Sequence, residues 1–392
     1  MSAQPAPRRR ILEVNKFYPP HVGGIERVVQ DLAKEFGRRG HRVRVLACRS
    51  TRGTRRVERR DGAVVIYAAS FATVCSTPLS LDFFLLYLRL RRWAEIVHWH
   101  EPCPPATLAA LLMPGRAARV VTWHADIARW PLLRPLVVRL QRAALARAAR
   151  VVATSRALAE GSAVLGAAAV TAEPIPIGLA LPARATDGTR APALGRHALF
   201  IGRLVYYKGL DVLLAAMSLT DATLVMVGNG PLLGEVQAEI ARRRLDRRVR
   251  LITRRVDDAE LDRLYRACDF LVLPSTHPAE AFGMVQVEAM ARGKPVINTR
   301  LPTGVPAVSL DGHTGITVPP GDAVALASAI HRLWHDPEFR ARLGAAGRDR
   351  AYREFDRTVM AERYLALFDR ILPLSPTTAA RLACKEVDRD DG

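Results

Sequence analysis

The sequence predicts an α/β protein built from two doubly wound, Rossmann-like domains that face each other across a cleft. Three observations lead there. Short apolar runs alternate with amphipathic stretches along most of the chain, a Pro-, Gly-, Thr- and Ala-rich interval interrupts that alternation near the middle, and 392 residues exceed what one hydrophobic core usually spans.

The first unit opens with ILEVN at 11–15, an apolar run of strand length, followed by a Pro-Pro and Gly-Gly loop. A helix is predicted from about Ile25 to Arg39, because Val28, Val29, Leu32, Ala33 and Phe36 recur on one face. Gly40 stops it and a strand at 42–47 follows, which makes a βαβ opening. Further strands are predicted near 63–68, 96–100, 119–123 and 150–153, separated by helical stretches, an alternation that points to a mostly parallel sheet covered on both faces. The pattern lapses between Leu181 and Arg196, the expected linker. That places a first domain over 1–185, a second over 186–375 and a tail over 376–392. In the second domain, apolar runs at 198–202, 222–228, 249–253, 269–275 and 295–299 each lead into a turn and a helical pattern, and 323–372 reads as helical throughout.

Composition narrows the function classes. The formal charge is +20 and most of the excess lies in the first 180 residues, so the two halves meet different partners. Only five of the 58 basic residues are Lys, and an Arg- and Ala-rich genome is an equally good source of the excess. Nucleic-acid binding is the rival from another class, prompted by runs such as 52–60. No zinc spacing, RNA-binding aromatic signature or recognition helix accompanies them, so no nucleic-acid partner is expected. Cys48, Cys75, Cys103, Cys268 and Cys384 are scattered and odd in number, which fits a reducing cytoplasm and neither a disulfide framework nor a zinc site. The basic start lacks an apolar signal core, and no window reaches the ~20 apolar residues of a membrane span. Two stretches, Leu81 to Trp93 and Leu132 to Arg142, mix apolar residues with Arg. They suit helices lying on an anionic membrane surface, a buried core helix being the alternative for the first.

Several motifs sit where doubly wound sheets bind ligands. Gly202-Arg203-Leu204 follows a strand, and Lys208-Gly209 comes just before the next helix. A fork-shaped guanidinium and a point-charge ammonium there suit a diphosphate. Glu280 and Glu288 are eight residues apart around a strand-to-helix turn. The backbone N–H groups of Phe282, Gly283 and Met284 at that turn favour an anion. Gly228-Asn229-Gly230-Pro231 follows another strand and departs by one residue from the dinucleotide-binding glycine pattern.

Taken in order and at these distances, Gly23-Gly24, the Gly-Arg-Leu and Lys-Gly pair, Gly-Asn-Gly-Pro and Glu-x7-Glu resemble the family-4 retaining glycosyltransferases of GT-B fold over roughly residues 11–370. The resemblance implies that Arg203 and Lys208 bind a donor diphosphate, Glu280 the donor sugar and Glu288 the ribose. It also implies that Gly23 and Gly24 admit the phosphates, where a Cβ would obstruct them. His124, in Thr-Trp-His-Ala-Asp, matches the family's first-domain active-site histidine, with Asp126 a weaker candidate for acceptor contact. The segments around His124, Gly202 and Thr303 look most like enzymes that extend lipid-linked repeat units of exopolysaccharide or O-antigen, including mannosyltransferases that use GDP-mannose. The expected donor is therefore a GDP- or UDP-linked sugar, and the expected acceptor a polyprenyl-diphosphate-linked glycan. The enzyme would work peripherally at the inner face of the cytoplasmic membrane.

One departure bears on the base: Thr253-Arg254-Arg255-Val256 stands where the family usually places a Gly, which leaves GDP and UDP both open. No cofactor or metal is expected, because the sole Asp-x-Asp, Asp388-Arg389-Asp390, falls in the tail, and Arg203, Lys208 and amide dipoles would carry the leaving group's charge. A sugar-nucleotide epimerase or a phosphorylase of the same fold is the nearer enzymatic rival.

Overall fold

The computed structural model describes residues 8–21, 23–74, 77–113, 115–126, 134–184 and 195–373. Most of the expected linker, the acidic tail with Asp388 and Asp390, and the start of the Leu132 to Arg142 stretch lie outside the described residues.

The first sheet has eight strands: β1 (Arg10–Val14), β2 (Arg42–Cys48), β3 (Arg56–Arg60), β4 (Ala63–Ala68) and, after a small two-stranded hairpin of β5 (Ala72–Val74) and β6 (Thr77–Leu79), β7 (Ile96–Glu101), β8 (Ala118–Trp123), β9 (Arg150–Ala153) and β10 (Ala172–Pro174). Their spatial order is β10-β9-β8-β7-β1-β2-β4-β3, parallel except for β3. The second sheet has six parallel strands, β11 (Ala198–Ile201), β12 (Leu224–Val227), β13 (Val249–Ile252), β14 (Phe270–Val272), β15 (Val296–Thr299) and β16 (Gly315–Val318), in the order β13-β12-β11-β14-β15-β16. Both are α/β sheets of Rossmann type, and in both the chain leaves β1 or β11 at a point where the strand order reverses. That reversal opens a crevice at the carboxyl ends.

Central strands are buried on both faces, which is why most of them read as apolar runs; β7 is covered at every position although His98, His100 and Glu101 interrupt its apolar character. The first helix, Gly24–Arg38, buries Val28, Val29, Leu32, Ala33 and Phe36, as its periodicity predicts. Gly40 after it adopts φ +84°, the left-handed conformation that terminates helices.

Three features differ from expectation. The Arg-rich run at 52–60 contains β3, an antiparallel edge strand paired with β4 and mostly exposed, a position where charge blunts further pairing. The stretch 323–372 is three helices, Ala323–His335, Pro337–Glu354 and Arg357–Ile371. The breaks fall at Asp336 and Asp356, whose carboxylates cap the next helix by accepting from the N–H of Phe339 at 2.8 Å and of Thr358 at 2.7 Å. The last helix also crosses back onto the first sheet: Phe368 packs against Phe36 with ring centroids 5.7 Å apart, and Arg9 pairs with Asp369. The helix Leu81–Trp93 agrees with the core-helix alternative on one side, burying Phe83, Leu86, Tyr87 and Leu90, while Leu81 and Leu85 stay exposed on its other side.

Candidate active site

On the second domain, β11 ends into Gly202-Arg203-Leu204. Leu204 is buried, and the exposed Arg203 has no acidic partner among the described residues. A short 3-10 turn, Tyr206–Lys208, then brings Lys208 back over Gly202, where a Cβ would lie 3.2 Å from Lys208 Cε. Gly209 has φ +62°, and a side chain there would collide with the carbonyl of Pro274. Gly228 and Gly230 fit the same loop closely: a Cβ on Gly228 would strike the carbonyl of Gly202, and one on Gly230 the carbonyl of Leu204. The Gly-Asn-Gly-Pro segment thus supports the Gly-Arg-Leu loop by close backbone packing.

Glu280 lies in the turn after β14, nearly buried, and the structure brings it directly to Lys208: Nζ stands 2.6 Å from Glu280 Oε2. The hydroxyl of Ser275 donates to the same oxygen at 3.0 Å. The ammonium is therefore neutralised by Glu280, leaving Arg203 as the unpaired cation of the loop. Gly283, at φ +73°, turns the chain into the helix Met284–Met290, and no described group accepts the N–H of Phe282, Gly283 or Met284. Glu288 sits in that helix, accepting from Tyr265 Oη at 2.6 Å and pairing with Arg27 of the first domain at 3.2 Å.

The first domain meets this helix start. Gly23 caps the helix Gly24–Arg38 in extended conformation, and the Glu26 carboxylate packs where a Gly23 side chain would be. A Cβ on Gly24 would come 3.0 Å from Met284 Cε, so the glycine loop and the second domain's turn are in close register. His124 follows β8 and is buried; its Nε2 is 3.0 Å from Nδ1 of His100, and burial first, then the neighbouring His100 and His98, hold its pKa well below the usual histidine value. Asp126 accepts from the Trp123 indole at 2.8 Å and the Ser162 hydroxyl at 2.6 Å. A cavity of about 370 Å³ lies between the domains, with Ala125 and Asp126 on one wall and His277, Ala279 and Ala281, which flank Glu280, on the other. Larger hollows of about 800 and 670 Å³ lie at the amino ends of the first sheet's strands, the wrong end for ligands in doubly wound sheets.

Residues that the sequence reading passed over complete the site. Glu13, His98 and His100 are fully buried behind His124, and Ser275, Tyr265 and Arg27 partner the two motif glutamates. A signal for the first three exists: Glu13 interrupts an apolar strand, and His98 and His100 alternate in another, polar side chains that need buried partners. Arg254 of the departing segment pairs with Glu260, and Thr253 accepts from Asn229 through its carbonyl at 3.1 Å.

Residues 22–179 match the family model described as Glycosyltransferase Family 4, and 191–350 match that described as Glycosyl transferases group 1. O-antigen chain mannosyltransferase C of Escherichia coli is 31% identical over 369 residues, covering 93% of this chain and 99% of that protein. D-rhamnosyltransferase WbpZ of Pseudomonas aeruginosa is 34% identical over 347 residues, covering 86% and 89%. Among solved structures, sucrose-phosphate synthase from Thermosynechococcus elongatus superposes with a TM-score of 0.76 at 23% identity over 94% of this chain and all of that one. Anabaena HepE in complex with UDP gives 0.75 at 21% identity over 92% of this chain and all of its own. The structural likenesses carry the fold, two Rossmann-like domains in GT-B arrangement, and the sequence relatives carry the family. The chain belongs to the family-4 glycosyltransferases and is a hexosyltransferase.

Proposed function

We propose that the enzyme transfers mannose from GDP-mannose, with retention of anomeric configuration and without a metal, to a polyprenyl-diphosphate-linked glycan during bacterial polysaccharide assembly. The near full-length similarity to an O-antigen chain mannosyltransferase supports the donor and acceptor classes. The observation that carries the mechanism is the Lys208–Glu280 pair, with Arg203 unpaired in the same loop as Lys208 and no described acceptor for the N–H groups of Phe282, Gly283 and Met284, at a turn that meets Gly24 of the first domain.

In this reading the donor diphosphate takes the guanidinium of Arg203 and draws Lys208 from Glu280. Glu280, thus released, accepts hydrogen bonds from sugar hydroxyls, and Glu288 exchanges Arg27 for the ribose. Gly23 and Gly24 keep the opposite wall thin enough for the phosphates. As the glycosidic bond breaks, the electron pair passes to the diphosphate, whose growing charge Arg203 and Lys208 stabilise. The acceptor hydroxyl attacks from the same face and its proton goes to the departing phosphate oxygen. Asp126 lines the cavity on the acceptor side.

The enzyme acts peripherally, at the inner face of the cytoplasmic membrane. No helix among the described residues is long and apolar enough to cross it. Phe71, Val74, Leu79, Leu81 and Leu85 form an exposed apolar row on the β5–β6 hairpin and the helix that follows, Leu81 at 75% exposure. That row lies after β4, on the same carboxyl side of the sheet as His124. The test is transfer from labelled GDP-mannose, with UDP-sugars in parallel, to a polyprenyl-diphosphate-linked oligosaccharide in EDTA, followed by NMR of the new anomeric centre. Axial mannose in EDTA supports the proposal. Inverted product, or activity that returns only with added divalent metal, refutes it.

A further inference from the structure

We propose that Glu13 and His100 form a positioning relay that fixes His124 as its Nε2–H tautomer and leaves its Nδ1 as a lone pair at the cleft, so that His124 meets a substrate hydroxyl as a hydrogen-bond acceptor. This rests on the reading of His124 as an active-site residue.

The relay spans three neighbouring strands, β1, β7 and β8, and its members are inaccessible to water: Glu13, His98 and His100 are each 0% exposed. Glu13 uses both carboxylate oxygens, Oε1 at 3.0 Å from Nδ1 of His98 and Oε2 at 2.9 Å from Nε2 of His100. An ionised carboxylate only accepts, so both ring nitrogens that face it carry hydrogen. Burial works to raise the Glu13 pKa, but the charge and hydrogen bonds of the two histidines bring it down to about 2. His100, held at about 4 by burial first and by His98 second, is neutral near pH 7 and has one N–H, which Glu13 takes. Its Nδ1 is then bare and accepts, at 3.0 Å, from Nε2 of His124. His124 is neutral as well, so its own Nδ1 is bare, and no described group bonds that nitrogen.

The second branch ends differently. His98 Nε2 is 2.7 Å from the Thr122 hydroxyl, which is 2.7 Å from Tyr364 Oη on the last helix. Reversing that branch would strand the buried Tyr364 hydroxyl proton, whereas the His100 branch ends at His124, next in the chain to Ala125 and Asp126 on the wall of the inter-domain cavity, and water or substrate there can meet either polarity. An isosteric Glu13→Gln change must convert one acceptor oxygen into a donor. The reversal therefore runs through His100, and His124 then presents Nδ1–H to the cleft.

The same three side chains gather within 4.8 Å of one another, as metal ligands would. A metal at Glu13, His98 and His100 would need the Nε2 of His100 bare and so would impose the opposite tautomer on His124. The experiment is long-range 1H–15N NMR of the full chain with labelled histidine at pH 7, assigned by single His→Gln variants, with metal content measured on the same sample. The expected result is Nε2–H on His100 and His124 without stoichiometric metal, and Nδ1–H on His124 in Glu13→Gln. Glu13→Gln lowers kcat roughly 100-fold with donor affinity nearly unchanged, and Glu13→Asp, which keeps the carboxylate, recovers part of the loss. Nδ1–H on His124 in the wild type, bound metal, or a folded Glu13→Gln protein with unchanged tautomer overturns the relay. Should Glu13→Gln not fold, the wild-type spectrum alone decides. The spectra need no substrate: correct tautomers in a protein inert toward GDP-mannose would sink the donor assignment alone, and the wrong tautomer in an active enzyme would sink only the relay.

Discussion

Replacing Glu280 with Gln tests how the second domain keeps a cation in reserve. The Lys208 and Glu280 side chains are 9% and 11% exposed and 2.6 Å apart, so solvent screens them little. Removing one partner of a buried pair costs about 3–5 kcal/mol, because the remaining charge loses its counter-ion. Gln keeps an oxygen that accepts from the ammonium, and Ser275 stays within reach at 3.0 Å, which favours the low end, about 3 kcal/mol. For a domain of this size each kcal/mol moves the melting temperature by roughly 2–4 °C, so the variant should melt roughly 6–12 °C below the wild type in calorimetry. Saturating GDP or UDP supplies a new anion for the ammonium, and the nucleotide should therefore raise the variant's melting temperature more than the wild type's. Melting within ~1 °C of the wild type, or an equal nucleotide shift in both, would show that the pair does not hold Lys208 in solution.

Acid should destabilise the protein through the relay. His100 is neutral in the folded chain down to about 4 but binds a proton near 6.5 when unfolded, so the unfolded state holds more protons between those values and stability falls as pH drops. That contribution shrinks by about 2 kcal/mol from pH 7 to pH 5, and Glu13 adds to the loss only below its ordinary value of 4.5. Urea titrations at the two pH values should show the drop, and a His100→Asn variant should show a smaller one; a flat profile refutes the assignment. At the membrane, the triple change Phe71→Ser, Leu81→Ser and Leu85→Ser should abolish flotation with anionic vesicles while leaving turnover of a short-chain acceptor intact. Undiminished flotation would remove the hairpin from the proposal. Gly228→Ala should push the Gly202 carbonyl and weaken donor binding at least tenfold by calorimetric titration, with unchanged affinity contradicting the interlocked loops.

The parallel strands were legible because strands buried on both faces are apolar along their length, as in β12, Leu224–Val227. The glycine loops at the carboxyl ends of β11 and β12 were legible because their glycines sit where backbone meets backbone, Gly209 against Pro274 and Gly228 against Gly202. β3 was missed because an edge strand of mostly Arg and Glu carries no apolar run, and its pairing depends on β4 rather than on its own residues. The return of the last helix to the first sheet is a tertiary choice: its buried Tyr364 and Phe368 would suit either domain. The partnership of Lys208 with Glu280 joins residues 72 positions apart, and the Glu13, His98 and His100 cluster needs the strand order β7-β1 before its members meet. Residue types told which groups sought partners, and the sheet order told which partners they found.

The central claim is that a nucleoside diphosphate binds over Arg203 without a metal, and calorimetric titration of GDP and UDP in EDTA into the wild type and Arg203→Ala tests it most directly. One of the two nucleotides should bind the wild type, and its affinity should fall at least tenfold in Arg203→Ala, as loss of a charge-assisted contact of about 1.5–3 kcal/mol requires. Absence of binding by both, or equal affinity in the variant, would contradict the account.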